Sequence, residues 1–291
     1  MPELPEVEVT RQRIAPLLVG RRIQGVRTSR PSYFFLTPPA LLRRVLRGRE
    51  LTELERRGKY LVGHLGGGDR LLIHLGMTGQ LFSSRATSVR LLSASARASL
   101  PPEAQQRFAP DRHTHLHFAF EDGGPEVYFR DVRKFGKVLW LPGGRTHERL
   151  DRLGTDALDA DGALLFEASR GRSSAIKSLL LDQAVLAGCG NIYADEALFL
   201  AGVRPGRRAG RVTRRECDAI AAALQGVLRR SIETGGSSIS DFVAPDGADG
   251  AYQSERRVYA RAGEPCPRCG APIRRRVIGQ RSSHFCSGCQ R

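Results

Sequence analysis

Four of the six cysteines sit together near the end of the chain, where Cys266-Pro-Arg-Cys269 is followed, sixteen residues later, by Cys286-Ser-Gly-Cys289. Two C-x-x-C knuckles at this separation suit one tetrahedral zinc held by four thiolates. A catalytic zinc keeps a coordination position open, and four cysteines close it, so the predicted role is structural. The segment from Gly263 to Arg291 is too short to bury a core, and metal binding must supply most of its folding energy. Ile273 to Ile278 and Ser282 to Phe285 read as the two strands of a hairpin between the knuckles, with Gly270 and Gly288 giving the turns backbone freedom. Arg274, Arg275, Arg276 and Arg281 make this zinc ribbon very basic, which points to phosphate contact. Cys189 and Cys217 lie far from the cluster and read as ordinary buried thiols.

The other end of the chain carries a second chemical possibility. Met1 precedes a small residue, so aminopeptidase is expected to remove it and leave Pro2 with a free secondary amine. Such an amine is a nucleophile of the imine-forming kind. Glu3 lies beside it and Glu6 one helical turn on, where either carboxylate could carry a proton. The same residues also make an ordinary helix start, with Pro5 in the first turn and acids at the positive end of the helix dipole. Read alone, the segment favours the helix start.

A wider set of motifs changes that balance. MPELPEVE over residues 1–8, Arg57-Gly-Lys59-Tyr-Leu61, His74-Leu-Gly-Met77-Thr-Gly79, Asp131-Val-Arg133-Lys-Phe135-Gly136, Gly190-Asn191-Ile-Tyr193-Ala-Asp-Glu196 and the Gly263-Glu-Pro-Cys ribbon follow one another along nearly the whole chain. Each is weak alone; the ordered set resembles the bacterial formamidopyrimidine-DNA glycosylase family (Fpg, MutM). The resemblance implies a bifunctional glycosylase and abasic-site lyase that removes oxidised purines, such as 8-oxoguanine opposite cytosine, from duplex DNA. It makes Pro2 the nucleophile that forms a Schiff base and Glu3 its proton carrier, with Lys59 and Arg281 completing the catalytic set. His74 and Asn191, with Lys59 and Arg281, match phosphate ligands. Met77, Arg133 and Phe135 match the side chains that fill the void left by an extruded base, Arg133 hydrogen-bonding the orphaned cytosine. Lys177 and Tyr193 match further DNA contacts. Cys266, Cys269, Cys286 and Cys289 hold the single structural zinc, and neither a small-molecule cofactor nor an oligomer is implied. An endonuclease VIII-like relative acting on oxidised pyrimidines would usually have glycine at the position of Leu4 and lack the Met–Arg–Phe set. A zinc-ribbon DNA-binding protein without catalysis explains the charge and the cysteines but gives Pro2, Glu3 and Lys59 no task.

The elements that must position these residues fall into two patterns. After a first helix expected to end near Gly20, the sequence is mostly strand-like: Leu71 to Leu75, the alternating Leu116, Phe118 and Phe120, Val127 to Phe129 and Val138 to Leu141, with a hairpin turn at Gly123-Gly124. From about Leu153 the pattern is helical, with helices predicted over Ala175 to Leu181 and Tyr193 to Leu200 around Gly188-Cys-Gly-Asn191. A third helix opens on the capping box Thr213-Arg-Arg-Glu216 and stops at Gly235. The expected fold is α+β. An antiparallel β-sandwich domain over 1–152 carries a loop insertion at 83–110, and a linker over 153–160 follows. A helix–two-turn–helix domain over 161–262 has a lesion loop at 235–253, and the zinc ribbon spans 263–291.

Composition agrees with a DNA partner. Lys+Arg number 46 against 30 Asp+Glu, a formal charge of +16 with a sequence pI near 10.5, and such a field draws polyanions. Hydrophobic residues at 41% and charged residues at 26% support a folded core rather than disorder. No apolar run is long enough to span a bilayer and no basic start precedes an apolar stretch, so a cytoplasmic, nucleoid-associated, membrane-free protein is expected.

Overall fold

The computed structural model describes residues 2–86, 109–238 and 242–291; most of the expected insertion, residues 87–108, lies outside them. The chain divides into two compact units, one formed by Met1–His147 with Thr234–Ala251 and the other by Glu148–Glu233 with Tyr252–Arg291.

The first unit opens with α1 (Leu4–Ile14), which one 3-10 turn over Ala15–Leu17 extends before Gly20, with φ of 75°, turns the chain away. There follow β1 (Ile23–Thr28), α2 (Pro39–Leu46), β2 (Leu51–Arg57), β3 (Tyr60–Leu65), β4 (Arg70–His74), β5 (Gly79–Ser83), β6 (Thr114–Phe120), β7 (Val127–Asp131) and β8 (Lys137–Leu141). They form two antiparallel four-stranded sheets, ordered β2-β3-β4-β8 and β1-β6-β7-β5. Alternation along the strands points one face of each sheet inward. Leu54, Leu61, Leu71 and Ile73 of one sheet and Val26, Leu81, Phe118 and Phe129 of the other share a single buried core, sealed by Val7 and Ile14 of α1 and Leu42 and Leu46 of α2. The sandwich expected from the alternation is present. Helix α2 was not foreseen in a region read as strands, although a proline at its start and the i, i+4 pair Leu42 and Leu46 are its signals.

The second unit contains α3 (Glu148–Asp151), β9 (Thr155–Asp156), α4 (Gly162–Ser169), α5 (Ile176–Leu181), β10 (Leu186–Ala187), α6 (Asn191–Leu200), α7 (Arg214–Glu233), β11 (Arg274–Ile278) and β12 (Arg281–Phe285). The capping box forms as predicted: the Thr213 N–H donates to Glu216 Oε2 at 2.8 Å and the Glu216 N–H to Thr213 Oγ1 at 3.3 Å. Strands β11 and β12 make the ribbon hairpin, closed by Gly279 and Gln280 with φ of 54° and 61°, the left-handed pair that a two-residue hairpin turn requires. Cys189 and Cys217 are buried, and burial pushes the Cys217 thiol up to about 11.

Candidate active site and nucleic-acid interface

At the start of α1 the helix reading of the sequence holds in full. Glu3 is the N-cap, and a capping box joins its side chain to the Glu6 N–H while Glu6 Oε2 accepts the Glu3 N–H at 2.8 Å. The other Glu6 oxygen accepts the Ser237 N–H at 2.9 Å. Glu6, buried at 1% exposure, therefore ties α1 to the segment read from sequence as the lesion loop, and both its oxygens are engaged. Pro2 and Glu3 are buried beside this cap. The cap fixes the backbone that follows Pro2.

Lys59 follows Gly58, whose φ of 56° makes the tight β2–β3 turn. That turn is fastened to α1 by Arg56, which donates through Nε to Glu8 Oε2 at 3.1 Å and through Nη1 to the Gly58 carbonyl at 3.1 Å. Tyr60 pairs with His74 in the sheet, and their rings lie 4.7 Å apart. Register thus sets Lys59 and His74 at one end of neighbouring strands. His74 Nδ1 accepts the Gly76 N–H at 3.1 Å, which assigns the proton of a neutral ring to Nε2.

Met77 and the pair Arg133 and Phe135 occupy two turns that press together. A Cβ on Gly76, where φ is 67°, would stand 2.4 Å from the Gly136 nitrogen, so only glycine allows this approach. Asp131, fully buried, brackets both turns: Oδ1 accepts from Thr78 Oγ1 and from the Arg133 N–H at 3.2 Å, and Oδ2 accepts the Gly136 N–H at 2.7 Å. The bracket leaves Arg133 and Phe135 exposed, Phe135 at 42%, with the guanidinium 4.8 Å from the ring centroid. The scaffold beneath is buried and polar, and the phenylalanine above it stays out of the core.

In the second unit the basic positions behave differently from one another. Arg281 is exposed at the start of β12. Asn191 opens α6, and its Nδ2 donates to the Ser282 carbonyl at 3.0 Å. Lys177 is wholly buried; its Nζ lies 2.6 Å from Asp195 Oδ1 and donates to the Ser282 carbonyl at 2.9 Å and to Ser283 Oγ at 2.8 Å. The expected DNA contact by Lys177 gives way to a structural one, because all three ammonium protons are directed inward. Tyr193 is likewise buried, its hydroxyl 2.6 Å from Ser231 Oγ and its ring against Tyr252. Packing accounts for the side chain. Asp195 Oδ2 accepts the His284 N–H at 2.8 Å, so α5 and α6 grip β12, the strand between Arg281 and Cys286.

The four ribbon cysteines bring their sulfurs within 4.8 Å of one another, with Cys266 and Cys289 Sγ 3.8 Å apart and Cys269 and Cys286 Sγ 3.4 Å apart. Zinc–thiolate bonds of about 2.3 Å give a tetrahedral edge of about 3.8 Å, and the cluster fits one structural zinc. Gly270 has the φ of 73° that the first knuckle needs, whereas the backbone freedom expected of Gly288 is not used: its φ is not positive, and a Cβ there would meet only an ordinary contact, 3.4 Å from Cys269 Sγ.

Three family models match in order: the formamidopyrimidine-DNA glycosylase N-terminal domain over residues 1–138, the formamidopyrimidine-DNA glycosylase H2TH domain over 153–243, and the zinc finger found in FPG and IleRS over 263–291. Formamidopyrimidine-DNA glycosylases of Stenotrophomonas maltophilia and Burkholderia thailandensis are 42% and 44% identical, each over 100% of both chains. The chain belongs to the formamidopyrimidine-DNA glycosylase family. Among solved members, MutM (FPG) from Thermus thermophilus is similar with a TM-score of 0.82 at 37% identity, covering 99% of this chain and 98% of that one. A MutM in complex with DNA containing carbocyclic 8-oxo-G is similar with a TM-score of 0.84 at 32% identity over 100% of both chains. In this member of the family the residues that sequence reading missed are the supports: Arg56, Thr78, Asp131 and Asp195. Thr78, Asp131 and Asp195 stand inside the motifs quoted above, yet nothing in a motif says which member faces inward. No helix among the described residues is long and apolar enough to cross a membrane.

Proposed function

We propose that this protein is a bifunctional DNA glycosylase and abasic-site lyase that removes oxidised purines, 8-oxoguanine opposite cytosine among them, from duplex DNA. The observation that carries the reading is the pairing, in one compact unit, of a capped Pro2-Glu3 terminus with an exposed Arg133–Phe135 turn on a buried Asp131 bracket. Base chemistry in a duplex needs the base out of the stack, and such a wedge fills the hole at a cost of a few kcal/mol for unstacking. The Pro2 nitrogen attacks the anomeric carbon of the sugar; the bond to the damaged base breaks, and the base leaves with a proton. The sugar ring opens to give an iminium on Pro2, with Glu3 relaying the proton to the ring oxygen. The iminium acidifies the neighbouring C–H, whose proton loss expels the 3′ phosphate, and a second elimination expels the 5′ phosphate. Met77 and Phe135 occupy the void and Arg133 hydrogen-bonds the orphaned cytosine. Lys59, His74, Asn191 and Arg281 hold phosphates, and the zinc stays structural.

Borohydride reduction tests this directly. A covalent complex with duplex DNA carrying 8-oxoguanine opposite cytosine is expected from the wild type and not from Pro2→Gly, while Glu3→Gln is expected to block base removal. Binding without trapping or cleavage points to a non-catalytic DNA-binding protein, and a preference for oxidised pyrimidines to the endonuclease VIII-like reading.

A further inference from the structure

Arg133 is held by both ends of its peptide. Its N–H donates to Thr78 Oγ1 at 3.1 Å and Asp131 Oδ1 at 3.2 Å, and its carbonyl accepts from the Tyr33 hydroxyl at 2.9 Å. The third bond comes from a residue that no motif singles out. Tyr33 lies between β1 and α2, a hundred positions earlier in the chain, and is 58% exposed, so the ring contributes little to the core. The ring instead carries the ammonium of Lys137, 4.9 Å from its centroid, and Lys137 Nζ donates to the carbonyls of Phe135 at 3.3 Å and Gly136 at 3.1 Å. Asp131 and Thr78 thus close the inner side of the turn; Tyr33 and Lys137 close the outer side. The turn needs both, because Lys134 within it adopts φ of 58°, a conformation that non-glycine residues hold only when their surroundings over-determine it.

We propose that Tyr33 is a positioning residue that sets discrimination of the base opposite the lesion, acting through the Arg133 peptide. This rests on the glycosylase reading above. A guanidinium that hangs from a peptide fixed at both N–H and C=O reaches a cytosine edge with less ordering left to do, whereas an unanchored one samples positions that suit other bases as well. Discrimination by hydrogen bonds is sensitive to such placement, since a misaligned donor leaves polar groups unpaired.

The experiment measures kcat/KM for 8-oxoguanine excision from duplexes with cytosine or adenine opposite, in the wild type, Tyr33→Phe, Arg133→Ala and the double variant, with Tm as a check on folding. Tyr33→Phe keeps the ring and removes the O–H donor. It is expected to lower the cytosine-to-adenine ratio about fivefold, the worth of one hydrogen bond, with Tm lowered by no more than about 4 °C. In the Arg133→Ala background it is expected to leave the ratio where it was, because the effect passes through Arg133. A Tyr33→Phe ratio equal to that of the wild type overturns the inference alone, as does a ratio change that persists in Arg133→Ala. A wild type that excises from neither duplex overturns the glycosylase reading, and the inference with it.

Discussion

Single residues decide whether the capped Pro2-Glu3 terminus, proposed as the nucleophile, and the Lys59 turn keep one geometry. Glu8 stands between them, taking hydrogen bonds from Arg11 at 2.7 Å and Arg56 at 3.1 Å, and the side chains of Arg56 and Glu8 are 9% and 12% exposed. Burial alone would push the Glu8 carboxyl up; the hydrogen bonds and charges of Arg11 and Arg56 outweigh it and hold the group below its ordinary 4.5. A carboxylate with a depressed folded value stabilises the fold fully above its unfolded value and loses that contribution as pH falls through the folded one. The wild type is therefore expected to lose Tm as pH drops below about 4.5, and Glu8→Gln to lose less over the same range. Arg56→Ala is expected to cost about 2 kcal/mol, since it strips a mostly buried carboxylate of one charged donor. Excision should slow as the Lys59 turn loosens. Urea unfolding with single-turnover kinetics checks both; an Arg56→Ala protein with wild-type stability and rate removes Arg56 from the positioning set.

At the scale of elements, the ribbon depends on the helices beside it as well as on zinc. Lys177 on α5 and Asp195 on α6 form a pair with no exposure, and both bond to β12. Breaking such a pair leaves a buried charge uncompensated, at about 3–5 kcal/mol. Lys177→Ala is expected to lower Tm and to weaken DNA binding only through the disturbed strand. If Lys177 instead touched phosphate, Tm would hold and the salt dependence of binding would flatten. The zinc knuckles were legible in the sequence because four thiolates around one metal impose a fixed spacing. Helix α7 was legible because its capping box is local, with Thr213 and Glu216 three residues apart. The Lys177 pairing was not, since its partners Asp195 and Ser283 meet it only through tertiary packing. The same holds for Asp131 and Thr78, 53 positions apart, and Tyr33 and Arg133, 100 apart. The resemblance placed Arg133 and Phe135 in the void-filling role; of what holds them up, Asp131 is local, two residues before Arg133, whereas Thr78 and Tyr33 reach the turn only through the fold.

For the whole molecule the governing quantity is charge. Many acids are engaged by arginines, as in Arg21–Asp122, Arg130–Asp111, Arg207–Glu216 and Arg230–Glu255, and the surplus of +16 remains for polyanions. Duplex affinity is expected to fall with a log–log salt slope of about −4 to −5, a loss of about 10²–10³ between 50 and 200 mM salt if five phosphates are neutralised. Two variants separate the parts of that binding. Arg281→Ala removes an exposed cation proposed to face phosphate; it should weaken binding alike on every sequence and flatten the slope by about one. Arg133→Ala removes a cation proposed to face a base; it should leave the slope nearly intact and cost about 1–3 kcal/mol only where cytosine stands opposite the lesion. Fluorescence anisotropy at five salt concentrations, on lesion duplexes with cytosine or adenine opposite, reads both effects. An Arg281→Ala slope equal to that of the wild type removes the phosphate role from Arg281. An Arg133→Ala protein that loses affinity equally on both duplexes makes that arginine one more counter-charge, and the Asp131 bracket beneath it a scaffold for attraction rather than for choice.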